Sequence, residues 1–96
     1  MTQKEYHRQV NARFYAYVEE NFPQYEIDHS EGYGRVYLLS KDKKADNSIE
    51  YHQSRHDLCC MNNASESTKE DIETMEKYIN NNIIPFLKLI EKDLES

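Results

Sequence analysis

The last third of the chain, residues 65–96, places apolar side chains at successive steps of three or four residues. This spacing lines them along one side of an α-helix, and the positions between are mostly Glu, Lys, Asp and Asn. The apolar positions are Ile72, Met75, Ile79, Ile83, Phe86 or Leu87, Ile90 and Leu94. Because such a helix is stabilised mainly by burying its apolar side, other elements must pack against it. The sequence predicts a long C-terminal helix over residues 66–94.

The start of this helix is marked by residues that can cap backbone N–H groups. Ser67 and Glu70 fit a capping box, in which the serine oxygen accepts a backbone N–H and the glutamate side chain reaches back. Ser65 and Thr68 are alternative caps, so the start is predicted only to within a few residues.

Pro85 lies inside the predicted helix. Proline has no backbone N–H to donate, and its ring crowds the carbonyl of Asn81. The apolar spacing nevertheless continues in phase on both sides of Pro85. We therefore expect one helix, kinked near Asn81 to suit core packing, rather than two separate helices; a functional hinge is the alternative.

A second amphipathic segment opens the chain and predicts a helix over residues 3–22. Thr2 and Glu5 fit a capping box at its start, and Pro23 ends it because the residue before a proline avoids the helical conformation. Its apolar positions are Tyr6, Val10, Phe14, Tyr17 or Val18, and Phe22.

Between the two helices the apolar period changes from helical spacing to alternation, which is typical of half-buried strands. Both glycines of the chain, Gly32 and Gly34, lie between the first two alternating segments and indicate a turn there. The predicted strands cover residues 25–30, 35–40 and 48–53, with 58–61 as a fourth strand or the end of a long third one.

The resulting order, α-β-β-β-(β)-α, predicts a two-layer α+β fold. The simplest arrangement is an antiparallel meander sheet with both helices on one face, which leaves the other face open to water or to a partner. A chain of 96 residues suffices for one domain, residues 1–96. No apolar run approaches the roughly 18 residues of a membrane span, and the chain opens without a signal-peptide pattern, so we expect a cytoplasmic protein.

The net charge is negative, and the acidic residues are unevenly distributed along the chain. The formal charge is −6 with a pI near 5.1, which disfavours binding to nucleic acid through phosphate neutralisation alone. The segment 65–96 alone holds eight acidic residues against four lysines. The acids near the start of the C-terminal helix are the candidate partner-binding residues: Glu66, Glu70, Asp71, Glu73 and Glu76.

Four residues with metal-binding side chains, His52, His56, Cys59 and Cys60, lie within nine positions. Adjacent residues of a strand point to opposite faces, so Cys59 and Cys60 are poorly placed to share one ion, and the histidines lack the spacing of a zinc knuckle. We expect one cysteine to be buried and the other exposed. A nucleophilic cysteine assisted by His52 or His56 is a weaker alternative, since nothing nearby suggests an oxyanion site. The sequence predicts no catalytic, cofactor-binding or metal-ligating residue.

Aromatic and basic residues in the predicted sheet offer a different function. Aromatic rings on an open sheet can stack on single-stranded bases, and nearby cations can contact phosphates. The ordinary interpretation of strand tyrosines is cross-strand packing. The candidate residues for a nucleic-acid face are Tyr33, Arg35, Tyr37, Lys43 and Tyr51.

Because no catalytic pattern emerges, we expect a non-catalytic protein-interaction module. Its partner would be another protein or a second copy of the chain, since Tyr78 and Ile84 lie off the main apolar stripe of the C-terminal helix. A small acidic domain also suits an inhibitor or regulator that presents an acidic surface to a basic partner. A nucleic-acid-binding domain is the first alternative, and a small metal- or thiol-dependent enzyme is the second.

Overall fold

The computed structural model describes residues 2–29, 34–40, 48–60 and 65–95, with side chains up to Leu89. The elements in these ranges are α1 (Gln3–Asn21), β1 (Tyr25–Asp28), β2 (Arg35–Ser40), β3 (Ile49–His52), β4 (Asp57–Cys60), α2 (Glu66–Tyr78), a π-helical turn (Ile79–Ile83) and α3 (Ile84–Glu95). The predicted α+β class is confirmed, and the fourth strand that the sequence left open is present. No helix within these ranges has both the length and the apolar composition needed to cross a membrane.

The strands form one antiparallel sheet in the order β1-β2-β3-β4. Each strand therefore pairs with its neighbour in sequence, as the predicted meander requires. In the register, Leu38 lies opposite Ile49, and Tyr51 lies opposite Leu58. All four of these side chains are buried, so they belong to a covered face of the sheet.

The helices cover this one face. Side chains alternate along a strand, and the buried strand residues share the same alternation on every strand. The hydrophobic core consists of Val10, Phe14, Val18, Phe22, Tyr25, Val36, Leu38, Ile49, Tyr51, Leu58, Met75, Ile79, Ile83 and Leu87. Among the described residues, the opposite side of the sheet has no helical layer, and we call it the open face.

Helix caps explain where the helices begin. The hydroxyl oxygen of Thr2 accepts the backbone N–H of Glu5 at 3.1 Å, as predicted. The cap of α2 is Ser65, whose hydroxyl oxygen accepts the backbone N–H of Thr68 at 3.3 Å. The predicted cap at Ser67 is wrong because Ser67 already lies inside the first helical turn, whereas Ser65 has the extended backbone that a capping residue requires.

The C-terminal helix continues through Pro85 by means of the π-helical turn. Met75, Ile79, Ile83 and Leu87 are all buried at steps of four residues. In an α-helix each such step overshoots a full turn by about 40°, so three steps would carry the last residue well away from the first. The wider π turn, in which the N–H of Ile84 donates to the carbonyl of Ile79, offsets this drift and keeps the stripe on the sheet.

The π-helical turn also determines which of Phe86 and Leu87 belongs to the buried apolar stripe. Leu87 is buried, whereas Phe86 is 45% exposed. Tyr78 and Ile84, which lie off the main apolar stripe, are partly buried against the core. Ile90 and Leu94 lie beyond Leu89, the last residue whose side chain the structure describes.

Phe14 should be among the residues on which the stability of the fold depends most. Its ring stacks on Tyr51 with the centroids 4.3 Å apart, and both side chains are fully buried. We expect Phe14→Ala to lower the free energy of unfolding by about 3–5 kcal/mol, because it removes this contact and leaves a cavity. Urea denaturation followed by circular dichroism measures the change.

Leu89→Ala is the control, since Leu89 is 63% exposed. It should change the free energy of unfolding by no more than about 0.5 kcal/mol. Equal losses in the two variants would contradict the assignment of Phe14 to the core.

Candidate functional site

The open face of the sheet brings together four polar side chains on β3 and β4, Glu50, His52, Asp57 and Cys59, which we call the open-face cluster. Alternation places Glu50 and His52 on the side of β3 opposite to its buried residues. The β3–β4 register sets Glu50 opposite Cys59, and His52 opposite Asp57. Backbone pairing alone therefore assembles the cluster from two short strands.

Both nitrogens of the His52 ring face a carboxylate. Nδ1 lies 2.6 Å from Oδ1 of Asp57, and Nε2 lies 3.2 Å from Oε1 of Glu50. The thiol of Cys59 donates to the other oxygen of Glu50, Oε2, at 3.6 Å. The Glu50 carboxylate thus lies between the imidazole and the thiol.

Two arginines border the cluster. Nε of Arg35 lies 3.2 Å from Oε1 of Glu50, and Nε of Arg55 lies 3.5 Å from Oδ2 of Asp57. Nη2 of Arg55 also lies 2.8 Å from Nδ1 of His52. Nδ1 cannot accept from Arg55 and donate to Asp57 at once, and the shorter contact with a carboxylate identifies it as the donor.

The electrostatic setting of Cys59 does not suit a nucleophile. Partial burial and the neighbouring Glu50 carboxylate raise the pKa of the Cys59 thiol, with a smaller contribution from Asp57. Catalytic cysteines need the opposite shift, because the thiolate is the reactive form. This arrangement gives no support to the thiol-dependent enzyme among the alternatives.

A second cluster joins α1 to the covered side of the sheet. The hydroxyl of Tyr51 donates to Oδ1 of Asn11 at 2.7 Å and lies 3.2 Å from Nδ1 of His56. Nε2 of His56 in turn lies 2.8 Å from Nδ1 of His7. One direction of donation satisfies every contact with neutral rings: His7 to His56, His56 to Tyr51, and Tyr51 to Asn11.

The structure therefore divides the four residues that the sequence grouped. His52 and Cys59 lie on the open face, His56 contacts Tyr51 on the covered side, and Cys60 is half-buried. The expected divergence of Cys59 and Cys60 is observed. His56 has a positive φ of 58°, in the left-handed region, where it closes the turn between β3 and β4.

Glu50 and Asp57, two members of the open-face cluster, were not predicted from the sequence as site residues. The signal was present in the spacing. Residues 50 and 52 share one side of β3, residues 57 and 59 share one side of β4, and a four-residue turn between the strands brings the two pairs together.

The five candidate partner-binding acids do not form one uniform surface. Asp71 is half-buried and its Oδ2 accepts the hydroxyl of Tyr25 at 2.7 Å, so it supports the packing of α2 on the sheet. Glu76 is half-buried. Three acids are exposed on the side of α2 away from the core: Glu66, Glu70 and Glu73. Lysines one turn along the helix pair with two of them, Lys69 with Glu66 at 3.6 Å and Lys77 with Glu73 at 3.3 Å.

The candidate nucleic-acid face is also divided. Arg35 and Tyr37 lie on the open face, but Tyr51 is 0% exposed and packs under α1. The prediction that Tyr51 belongs to this face is wrong, because its position in the strand alternation places it in the core. Tyr33 and Lys43 lie outside the described residues.

A groove runs between α1 and the C-terminal helix, on the side of the helices away from the sheet. Its volume is about 620 Å³. The rings of Tyr17 and Tyr78 stack across it with centroids 3.6 Å apart, and the guanidinium of Arg13 lies 4.7 Å from the centre of the Phe86 ring. Phe86 and Leu89 are the large hydrophobic residues that stay exposed among the described side chains.

No protein-family model, curated protein or solved structure matches the chain. No residue role is therefore carried over from a relative. The contacts, burial and charges of the chain's own residues are the basis for assigning it a function.

The His56 contacts predict a pH dependence of stability. Burial, and secondarily His7, lower the pKa of His56, while the carboxylate of Asp57 opposes this shift. As the pH falls below the ordinary histidine pKa of about 6.5, the unfolded chain binds a proton more readily than the native protein. The contribution of neutral His56 to stability is therefore complete above about pH 6.5 and lost below it. The free energy of unfolding, measured by urea denaturation, should fall between about pH 7 and about pH 5.

His56→Asn should reduce this slope, because asparagine does not titrate and tolerates a positive φ. His29→Asn is the matched control at an exposed position, and it should leave the slope as in the unmodified protein. A slope unchanged by His56→Asn would show that other groups cause the pH dependence.

Proposed function

We propose that this protein is a small, non-catalytic interaction module that presents the outer side of its helices to a basic, amphipathic protein segment. The observation that carries the proposal is the groove between α1 and the C-terminal helix, with exposed Phe86 beside it. Aromatic residues are enriched at protein interfaces, and an exposed apolar patch beside a groove is typical of binding surfaces.

The charge of this surface selects the partner. Glu66, Glu70 and Glu73 lie on the side of α2 away from the core, and Glu20 lines the groove. Lys69 and Lys77 offset only part of the charge on α2, and Arg13 offsets Glu20 in the groove, so the acidic excess lies on the exposed side of α2. An acidic surface raises the association rate with a positively charged partner and disfavours nucleic acid.

The apolar part of the surface indicates that the partner has apolar residues as well as basic ones. Phe86 and Leu89 follow each other by three residues on α3, so together they offer an apolar ridge at one end of the groove. A partner helix with apolar residues on one side and lysine or arginine on the other matches both the ridge and the acids. The inhibitor or regulator role expected from the sequence remains within this proposal, as does its expected cytoplasmic location.

The alternative of a nucleic-acid face receives less support from the open face. Arg35 is the basic residue there among the described strand residues, and it is paired with Glu50. Acidic side chains outnumber it on the strands of that face: Glu26, Asp28, Glu50 and Asp57. Aromatic stacking by Tyr37 alone would have to overcome this repulsion.

The acidic stripe should be required for binding. The probe is a fluorescent helical peptide with leucines on one side and lysines on the other. Its binding to the protein is measured by fluorescence anisotropy. Glu70→Lys should weaken binding about fivefold, roughly 1 kcal/mol, because it replaces an attraction by a repulsion. Added salt should weaken the binding of the unmodified protein, since screening acts within about 10 Å at 0.1 M.

Glu26→Lys is the matched control, because it makes the same change in net charge at an exposed strand position. It should leave the affinity nearly unchanged. Equal losses in the two variants would mean that the peptide responds only to net charge, which contradicts the proposed surface. Micromolar binding of labelled oligonucleotides, lost on Tyr37→Ala or Arg35→Gln, would favour the nucleic-acid alternative instead.

The protein alone provides a second test. If the apolar ridge serves a foreign partner, sedimentation equilibrium at high micromolar concentration should show a monomer. A dimer that dissociates on Leu89→Ser would instead assign the ridge to a second copy of the chain, which was the other partner expected from the sequence.

A further inference from the structure

The open-face cluster contains three different metal-binding groups that lie close together. The carboxylate of Glu50, the imidazole of His52 and the thiol of Cys59 each offer a ligand atom, and these atoms all lie within 4.8 Å of one another. They come from adjacent strands of a hydrogen-bonded sheet, so their backbone positions are set by pairing rather than by loops. A rigid scaffold lowers the cost of organising a site.

Two of the three separations between the ligand atoms are close to those around a tetrahedral zinc ion, and the third, between the imidazole and the thiol, is no more than 4.8 Å. Typical zinc–ligand lengths give about 3.4 Å between an imidazole nitrogen and a carboxylate oxygen, and about 3.6 Å between a thiolate sulfur and such an oxygen. The observed distances are 3.2 Å from His52 to Glu50 and 3.6 Å from Cys59 to Glu50. They involve different oxygens of Glu50, so either both oxygens bind or the carboxylate rotates slightly.

The orientation of His52 is also that of a metal ligand. Nδ1 of His52 donates to Asp57 at 2.6 Å, which leaves Nε2 directed at Glu50. Histidine ligands usually donate their other ring N–H to a carboxylate, which fixes the ring and increases its basicity. Nε2 faces a carboxylate oxygen, and that contact is favourable only when Nε2 is protonated or when a cation replaces the proton.

The carboxylates around the cluster favour a cation, and two arginines oppose it. Glu50 and Asp57 are carboxylates on the two sides of His52, and the field of Glu50 and Asp57 reaches Cys59 as well. One arginine is Arg55, which lies 3.5 Å from Asp57 and 2.8 Å from Nδ1 of His52. The other is Arg35, which occupies Oε1 of the proposed ligand Glu50 at 3.2 Å. Its side chain is 57% exposed, so it can swing into solvent when an ion binds.

We propose that Glu50, His52 and Cys59 bind one divalent cation of the zinc type on the open face, with Asp57 as the positioning residue of His52. A set of one oxygen, one nitrogen and one sulfur ligand suits a borderline-soft ion, whereas Mg²⁺ and Ca²⁺ prefer oxygen alone. Three protein ligands leave a fourth position for water or for a ligand from a partner.

This proposal departs from the sequence-based expectation that the chain has no metal ligand. That expectation considered Cys59 together with Cys60, and the structure shows that these two residues diverge. Glu50 takes the place of the second cysteine because the strand register sets it opposite Cys59. The proposed metal site lies on the other side of the sheet from the groove between the helices. A test of the metal site is therefore independent of a test of the proposed interaction surface.

Cobalt titration of the full chain, stripped with a chelator and kept reduced, tests the site directly. We expect one Co²⁺ per chain, with a thiolate-to-cobalt charge-transfer band and the visible bands of tetrahedral cobalt, and we expect Zn²⁺ to displace it. Cys59→Ser should abolish the charge-transfer band. Cys60→Ser, the matched control at the half-buried neighbour, should retain it.

Two further variants distinguish a built site from accidental thiol binding. Asp57→Asn should weaken Co²⁺ and Zn²⁺ binding about ten- to a hundredfold while keeping the charge-transfer band, because Asp57 positions His52 without touching the metal. Arg35→Gln should tighten binding, since it removes the competing cation from Glu50. Circular dichroism establishes that each variant is folded.

Absence of the charge-transfer band in the unmodified protein would overturn the proposal. It would also be overturned by a band that survives Cys59→Ser, by one lost equally in Cys60→Ser, or by an affinity that does not respond to His52→Gln. These residues lie on the face of the sheet that no described helix covers, so their substitution should leave the core intact, and loss of binding in a folded variant is interpretable.

Discussion

The contact between Phe14 and Tyr51 determines the geometry on both sides of the sheet. It anchors α1 to the middle of β3, where Tyr51 is fully buried. Because side chains alternate along a strand, burying Tyr51 forces Glu50 and His52 onto the open face. A shift of one residue in the register would bury a carboxylate and an imidazole instead, at a high desolvation cost. The core packing and the polar cluster are therefore two results of one constraint.

The turn between β3 and β4 completes this arrangement. His56 adopts the left-handed conformation that closes the turn, and its contacts with Tyr51 and His7 hold it there. The strained backbone conformation is thus supported by a hydrogen-bonded chain that reaches α1. Because the turn has four residues, Asp57 lies opposite His52 and Cys59 lies opposite Glu50. The covered side of the hairpin maintains the geometry of the open side.

In the C-terminal helix, the spacing of the buried residues differs from the period of an α-helix. Four buried residues at steps of four would leave the sheet-facing side of an ideal α-helix, and the π turn corrects this drift before Pro85. The same correction leaves Phe86 and Leu89 outside the core, beside the groove with α1. Two separate surfaces result, an acidic and apolar one on the helices and a polar one on the sheet.

Local patterns in the sequence determined the elements of this protein and their order. Apolar spacing predicted both helices and three strands, Thr2 predicted a cap, and the alternation of β4 anticipated the divergence of Cys59 and Cys60, because each of these depends on neighbours in the chain. Only the tertiary structure decided the rest. The placement of Tyr51 in the core, the engagement of Asp71 by Tyr25, and the meeting of Glu50 with His52 and Cys59 depend on strand register and layer packing. Those are interactions between residues distant in sequence, which local periodicity does not contain.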